Sequence, residues 1–274
     1  MKNLWILALS VVMLTGCAEK NIEVAQDADA VIAVVETAAP TSRFSEYMWC
    51  DAGPDFSAET YAELTAAWNE VGSRATHQVS AAFSIRPKFE TDRYDGMWVN
   101  IWPSVEARDA GWAEWVENEA EAFGTKFNNV LACDPAKRFL FESFTVTDQV
   151  QQWDPADLHQ VSYSFCSLKE GKTPEDGGLV AANFAEWIAL KRTEGLGTKY
   201  MSYLLIPTFD PETIDGTAAS YQFVRADAWA NAEEQAADMA AWQEDGNVAR
   251  DMSDATYDCQ NFDFDLRPIK NPAI

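Results

Sequence analysis

Only two histidines occur in the 274 residues, and both lie in the same tetrapeptide, HQVS, at 77–80 and 159–162. A pair of imidazoles could ligate a metal or relay a proton at neutral pH. The copies open different extended runs, however, and His77 and His159 share strand parity with the apolar residues that follow them (Val79 and Phe83, Val161 and Phe165). Each reads as a strand-entry residue hydrogen-bonded at a sheet edge, not as half of a shared site. Carboxylate pairs carry little information in a chain with 44 acidic residues. The acidic stretch DPETIDG (210–216) invites Ca²⁺, but it lacks the D-x-D-x-D-G spacing and closing Glu of a calcium loop, so a hairpin loop is expected. Glycine-rich phosphate loops, G-x-S-x-G and H-E-x-x-H are all missing from the sequence. The residues assign no catalytic group, no metal site and no cofactor.

The five cysteines are more informative. Met1-Lys2-Asn3 is a short basic leader, and LWILALSVVML (4–14) is too short to span a bilayer but suits a signal-peptide core. It runs into LTGC (14–17), which resembles the bacterial lipobox. That resemblance implies removal of a signal peptide, residues 1–16, and acylation of Cys17 as the mature N-terminus, with palmitate among the chains. Ala18 after the cysteine implies the outer membrane, with the body facing the periplasm or the cell surface. Several acyl chains on one residue give firm anchoring. Residues 17–43 read as a lipidated tether, although AVIAVV (30–35) is apolar enough to dock on the body.

Cys50, Cys133, Cys166 and Cys259 form an even set, and an exported compartment is oxidising. Two disulfides with three possible connectivities follow. A zinc site would want Cys-x-x-Cys or Cys/His pairs, and the chain has none. The net charge of −24 argues against nucleic acid and against anionic headgroups as partners. Eleven Trp and 12% aromatics require a packed body, and about 230 residues suffice for one large or two small cores.

The elements that must position these residues recur along the chain. PKFETDRYDG (87–96) and PTFDPETIDG (207–216) share P-x-F-acid-x4-D-G at an offset of 120 residues. Each lies between two extended stretches, and each pair of stretches is followed by an acidic, Trp-containing helical segment, 104–123 and 227–245. Cys50 and Cys166 close an extended run ahead of a helix, and Cys133 and Cys259 precede a last strand. Tyr61, Leu64, Trp68 and Val71 share one helical face after Ser57 as N-cap, and TPED (173–176) is a capping box leading to Val180, Phe184, Trp187 and Ile188. Both units read β-α-β-β-α-β, the first over 44–150 and the second over 151–274, which predicts a two-fold internal duplication.

This element order, α+β and met twice in one chain, resembles the ferredoxin-like, dimeric α/β-barrel superfamily. The resemblance implies a single-chain α/β-barrel with two facing sheets, helices outside and a space between the sheets. It also implies that the first and fourth strands of each unit are antiparallel neighbours, which pairs Cys50 with Cys133 and Cys166 with Cys259. If the apolar strand faces meet the helices, the opposite parity lines the inter-sheet space: Ser80, Ser84 and Arg86, then Trp98, Asn100 and Trp102, then Asp263 and Asp265. Such a lining suits a small, partly aromatic organic ligand. The expected function is a non-enzymatic envelope module that binds a small ligand or an envelope protein. The alternative, implied by cofactor-free monooxygenases and haem-degrading enzymes of that superfamily, is a cofactor-independent enzyme using Asn100, Trp102 or His77 in the cavity.

Overall fold

The computed structural model describes residues 42–154, 157–211 and 221–270. The leader, Cys17, nearly all of the tether and the Asp215-Gly216 end of the second P-x-F motif lie outside the described residues. The first half runs β1 (Arg43–Ala52), α1 (Ala58–Arg74), β2 (Ala81–Pro87), β3 (Gly96–Trp102), α2 (Val105–Asn118), α3 (Ala120–Phe127) and β4 (Leu131–Thr147). The second runs β5 (His159–Leu168), α4 (Pro174–Thr193), β6 (Met201–Pro207), β7 (Phe223–Trp229), α5 (Ala232–Asp245), α6 (Asn247–Thr256) and β8 (Tyr257–Lys270). Both halves are therefore β-α-β-β-α-β with the second helix broken in two.

The eight strands close into one antiparallel barrel in the order β1-β3-β2-β8-β5-β7-β6-β4. Each half supplies a four-stranded sheet, and the sheets join edge to edge through β2·β8 and β4·β6. Closure leaves no free sheet edge among these strands. β1 lies beside β4 with Cys50 opposite Cys133, and β5 lies beside β8 with Cys166 opposite Cys259. Both opposed pairs are bonded as disulfides, the pairing that the element order implied.

Helix starts follow local chemistry. Ser57 and Thr173 close capping boxes with Thr60 and Asp176, with Pro174 at the start of α4, and Ser104 accepts the Ala107 N–H. The second-half helix starts later than its periodicity predicted. Asp227–Trp229 belong to β7, pairing with β5 and β6, and Asn231 caps α5 by accepting the Glu234 N–H at 2.9 Å. A polar side chain that can satisfy an orphan N–H outranks the apolar spacing that placed Trp229 on the helix.

The predicted parity of the strands is inverted. Val99 and Ile101 of β3, Ile85 of β2 and Phe264 and Leu266 of β8 belong to the core inside the barrel. Trp98 and Trp102 pack outward, against residues of the helices. The reason is that both faces are covered, one by the opposite sheet and one by helices. Alternation then separates two apolar sets and cannot say which is inner.

Candidate functional site

The space between the sheets is an aromatic cavity of about 410 Å³. An aromatic-x-aromatic pair on the first and last strand of each half supplies eight of the eleven aromatic rings in its wall: Tyr47/Trp49, Phe139/Phe141, Tyr163/Phe165 and Phe262/Phe264. The two halves repeat the same ring contacts. Tyr47 meets Phe141 at 5.5 Å as Tyr163 meets Phe264 at 5.5 Å, and Trp49 meets Tyr94 at 5.1 Å as Phe165 meets Tyr221 at 5.0 Å. Tyr47 and Tyr163 touch across the barrel, edge to face, at 5.6 Å.

The P-x-F motifs acquire a role here. Phe89 crosses from the end of β2 onto Phe262 and Phe264 of the second half, at 5.1 and 5.3 Å. Phe209 crosses from the end of β6 onto Phe139 and Phe141 of the first, at 5.6 and 5.2 Å. Each loop thus places one ring on the other half's wall.

The opposite end of the barrel is closed. Trp153 stacks on His159 with centroids 4.3 Å apart and donates its Nε1–H to the Lys199 carbonyl at 2.6 Å. His159 is fully buried, and its Nδ1 lies 2.7 Å from the Ala230 carbonyl oxygen. A carbonyl only accepts, so Nδ1 is the donor in this bond, and Nε2 has no hydrogen-bond partner among the described residues. The mouth, by contrast, is bordered by Thr91, Arg93, Asp258 and Gln260, with the Arg93 guanidinium 4.5 Å and the Lys137 ammonium 5.2 Å from the Trp49 ring.

Inside, the polar atoms are phenols. Burial pushes the Tyr163, Tyr203 and Tyr221 hydroxyls far above their ordinary range, raises Tyr47 with help from Tyr163, and raises Tyr94 to about 12. These groups are neutral hydrogen-bonding groups at physiological pH. A raised phenol contributes stability that is complete below the unfolded value near 10 and is lost as pH rises through the folded value. The protein is therefore expected to lose stability from about pH 10 upward, with phenolate absorbance appearing together with unfolding and not before it. A phenolate titration of these tyrosines that precedes the loss of circular dichroism contradicts this.

The Tyr221 hydroxyl is buried and forms no hydrogen bond among the described residues. An unpaired buried hydroxyl costs about 1–3 kcal/mol. Tyr221→Phe is accordingly expected to leave the ligand-free protein as stable or more stable by up to about 1 kcal/mol. A melting temperature clearly below that of the parent would show that the hydroxyl has a partner.

None of the eight residues predicted to line this space lies in it. Trp98, Asn100 and Trp102 line a separate groove of about 730 Å³ between the sheet and helices α1–α3. Ser84, Arg86 and Asp265 line an outer groove along the β2·β8 seam. Asp265 there accepts the Gln160 amide at 3.1 Å, whose own carbonyl takes the Lys88 ammonium at 2.7 Å. Asp263 is exposed, and Ser80 precedes β2, where its N–H donates to Ile101 at 2.7 Å. The physical reason is again the doubly covered sheet. The aromatic-x-aromatic pairs, interrupted by Ser164 and Asp263, were the available signal for the inner face.

The two histidines are apart in role and place. His77 is on the surface, where Glu114 accepts from the Thr76 and His77 N–H groups at 2.9 and 3.2 Å and approaches the imidazole at 3.4 Å. Those backbone N–H groups, the one at Thr76 foremost, hold the Glu114 carboxyl below its usual range. His77 thus ties the α1–β2 loop to α2. Among the described residues no cluster of three or more His, Cys, Asp or Glu is placed to hold a metal, and no helix is long and apolar enough to cross a membrane.

No protein-family model matches the sequence, and no curated protein matches it. Among solved structures, chlorite dismutase from Candidatus Nitrospira defluvii in complex with imidazole is similar at 10% identity, covering 89% of this chain and 96% of that one, with a TM-score of 0.49. A "putative monooxygenase" from Lactobacillus acidophilus NCFM is similar at 9% identity, covering 84% and 97%, with a TM-score of 0.46.

Proposed function

We propose that this protein is a lipid-anchored, outer-membrane binding protein of the cell envelope that holds one apolar, ring-containing small molecule inside its barrel, without catalysing a reaction. The observation that carries this reading is the aromatic cavity, closed by Trp153 at one end and bordered by polar side chains at the other. Its volume falls within the roughly 300–1,000 Å³ of small-molecule sites. Its wall supplies ring faces and neutral phenols in place of a general base, and its buried histidine is sealed under Trp153. Those features support binding over acid–base chemistry.

The leader and LTGC support export and acylation of Cys17, and the two disulfides are at home in an oxidising compartment. The tether would join the barrel at Arg43. That residue pairs with Ser143, at the end of the barrel away from the mouth. The matched ring contacts of the two halves support their origin as internal repeats.

Two experiments test the reading. Radiolabelled palmitate is expected in the wild-type protein and not in Cys17→Ser. The apolar fluorophore N-phenylnaphthylamine is expected to bind the full-length protein saturably and to be weakened about tenfold or more by Val224→Trp, which fills the barrel. Labelling that survives Cys17→Ser refutes the anchor, and binding indifferent to Val224→Trp refutes the cavity.

A further inference from the structure

The geometry points to a second binding site, outside the barrel, for a planar aromatic molecule carrying a hydrogen-bond acceptor. The site is the groove of about 730 Å³ between the outer face of the first sheet and helices α1–α3. The two halves have the same elements in the same order, so their helix–sheet layers should close to a similar degree. They do not. Helix α4 has six buried residues, whereas α1 buries only Leu64. Under α4 the remaining gap, lined by Phe184, Leu204 and Phe223 among others, is about 30 Å³.

The aromatic side chains explain the difference. In the second half they interlock: Phe184 touches Trp187, Tyr200 and Trp242 at 5.9, 5.9 and 5.4 Å, and Trp187 touches Trp242 at 5.0 Å. In the first half they form separate stacks on the groove's walls. Trp68 of α1 meets Trp98 at 5.2 Å, and Trp112 of α2 meets Trp102 at 6.4 Å. Together with Trp115, these rings give the groove five of the chain's eleven tryptophans. Trp68, Trp112 and Trp115 are half-buried, and Trp98 and Trp102 are nearly buried beneath them. Such indole surfaces favour a flat π-system through offset or edge contacts worth more than their buried area alone.

Asn100 supplies the second, independent observation. The residue is only 3% exposed, and it lines the groove. Trp98 Nε1, which can only donate, lies 3.0 Å from Asn100 Oδ1, and this fixes the orientation of the amide. The Nδ2 group then has two N–H donors and forms no hydrogen bond among the described residues. The amide donor is open to the groove and has no protein partner there, so an occupant with an acceptor oxygen or nitrogen can take it. The charged groups that line the groove already have partners: Glu114 binds the Thr76 and His77 N–H groups, Arg74 pairs with Glu70 and Glu119, and the Arg138 guanidinium lies 4.8 Å over Trp112. Neutral recognition, by ring faces plus one amide, is what remains.

Three matched probes test this on the full-length protein, read by quenching of tryptophan emission: acetylnaphthalene (flat, with an acceptor), ethylnaphthalene (flat, without one) and acetyldecalin (an acceptor on a saturated frame). Acetylnaphthalene is expected to bind about tenfold or more tightly than either analogue. Asn100→Asp keeps the acceptor for Trp98 but turns an oxygen toward the ligand, so it should erase the advantage of acetylnaphthalene over ethylnaphthalene. Gly72→Leu is the blocking variant. A Cβ at Gly72 meets nothing within 4 Å, the residue lines the groove, and a leucine there favours α1. It should abolish the acetylnaphthalene binding that remains when Val224→Trp fills the barrel, with the melting temperature unchanged or raised, and in the otherwise wild-type protein leave N-phenylnaphthylamine in the barrel undisturbed. Equal binding of the three probes, no binding of acetylnaphthalene up to its solubility, or wild-type binding by Gly72→Leu overturns the proposal.

Discussion

Glu46→Gln is expected to destabilise the protein by about 3–5 kcal/mol, the usual cost of breaking a buried ion pair by removing one partner's charge. The Glu46 side chain is inaccessible to solvent, and all its acceptor capacity is directed at α2 and the outer face of β3. Oε1 takes Arg108 Nε at 2.8 Å and a terminal guanidinium nitrogen at 2.7 Å. Oε2 takes the indole N–H of Trp102 at 3.2 Å and of Trp112 at 2.7 Å. Glutamine keeps the shape but replaces one acceptor by an NH₂ group facing donors, and it leaves Arg108 with only the exposed Asp109 carboxylate as counter-charge. α2 has no fully buried residue of its own, and this carboxylate, together with the Trp112–Trp102 contact, ties it to the sheet. The loss should lower the melting temperature by on the order of 10 °C and speed amide exchange in α2 first. A double replacement of Glu46 and Arg108 by leucine should recover much of the stability, because two apolar groups leave no orphan charge. A shift for Glu46→Gln under about 1 kcal/mol would contradict this account.

The disulfides should matter as much. They join residues 83 and 93 positions apart, so each restricts a long loop of the unfolded chain. Loops of that length are worth about 4–5 kcal/mol each in the chain-entropy picture. The opposed strands β1·β4 and β5·β8 keep their backbone pairing without the bond, so single-bond variants (Cys50→Ser with Cys133→Ser, or Cys166→Ser with Cys259→Ser) should fold with reduced denaturant midpoints. Losing both should consume most of the 5–15 kcal/mol typical of a folded domain. The reduced protein is therefore expected to be largely unfolded at body temperature, whereas equal midpoints with and without reductant would contradict the prediction.

What could be read from the sequence depended on whether a local rule had one answer. The caps at Ser57 and Thr173, the order of elements and the two cystine pairs were legible, because capping is local and the pairing follows once β1 lies beside β4. Orientation of the strands was not. In MWVNIW both Val99 and Trp98 belong to buried apolar clusters, so period two marks two faces without naming them. The information lay in comparing strands. Rings at 47/49, 139/141, 163/165 and 262/264 select one parity in four strands, and the serines and acids between some of them exclude the other. The helix break at Glu119 and the late start at Asn231 were hidden for a different reason. Trp112, Val116 and Phe123 keep helical spacing across the break, although they belong to two helices.

The His77 and His159 environments also show why residue type alone misleads. One imidazole links a surface loop to α2 through Glu114, and the other closes the barrel floor beneath Trp153. Their shared tetrapeptide reflects strand entry, and their chemistry is set by what covers them.

The proposed occupancy of the barrel interior by a small apolar molecule is open to direct observation. The most direct measurement is native mass spectrometry of the full-length protein purified from its own envelope, alongside Val224→Trp prepared identically. The account predicts a reproducible mass addition, one apolar small molecule per chain, present in the parent and missing from Val224→Trp. A parent that carries no such molecule, or a Val224→Trp protein that carries it equally, would contradict the claim.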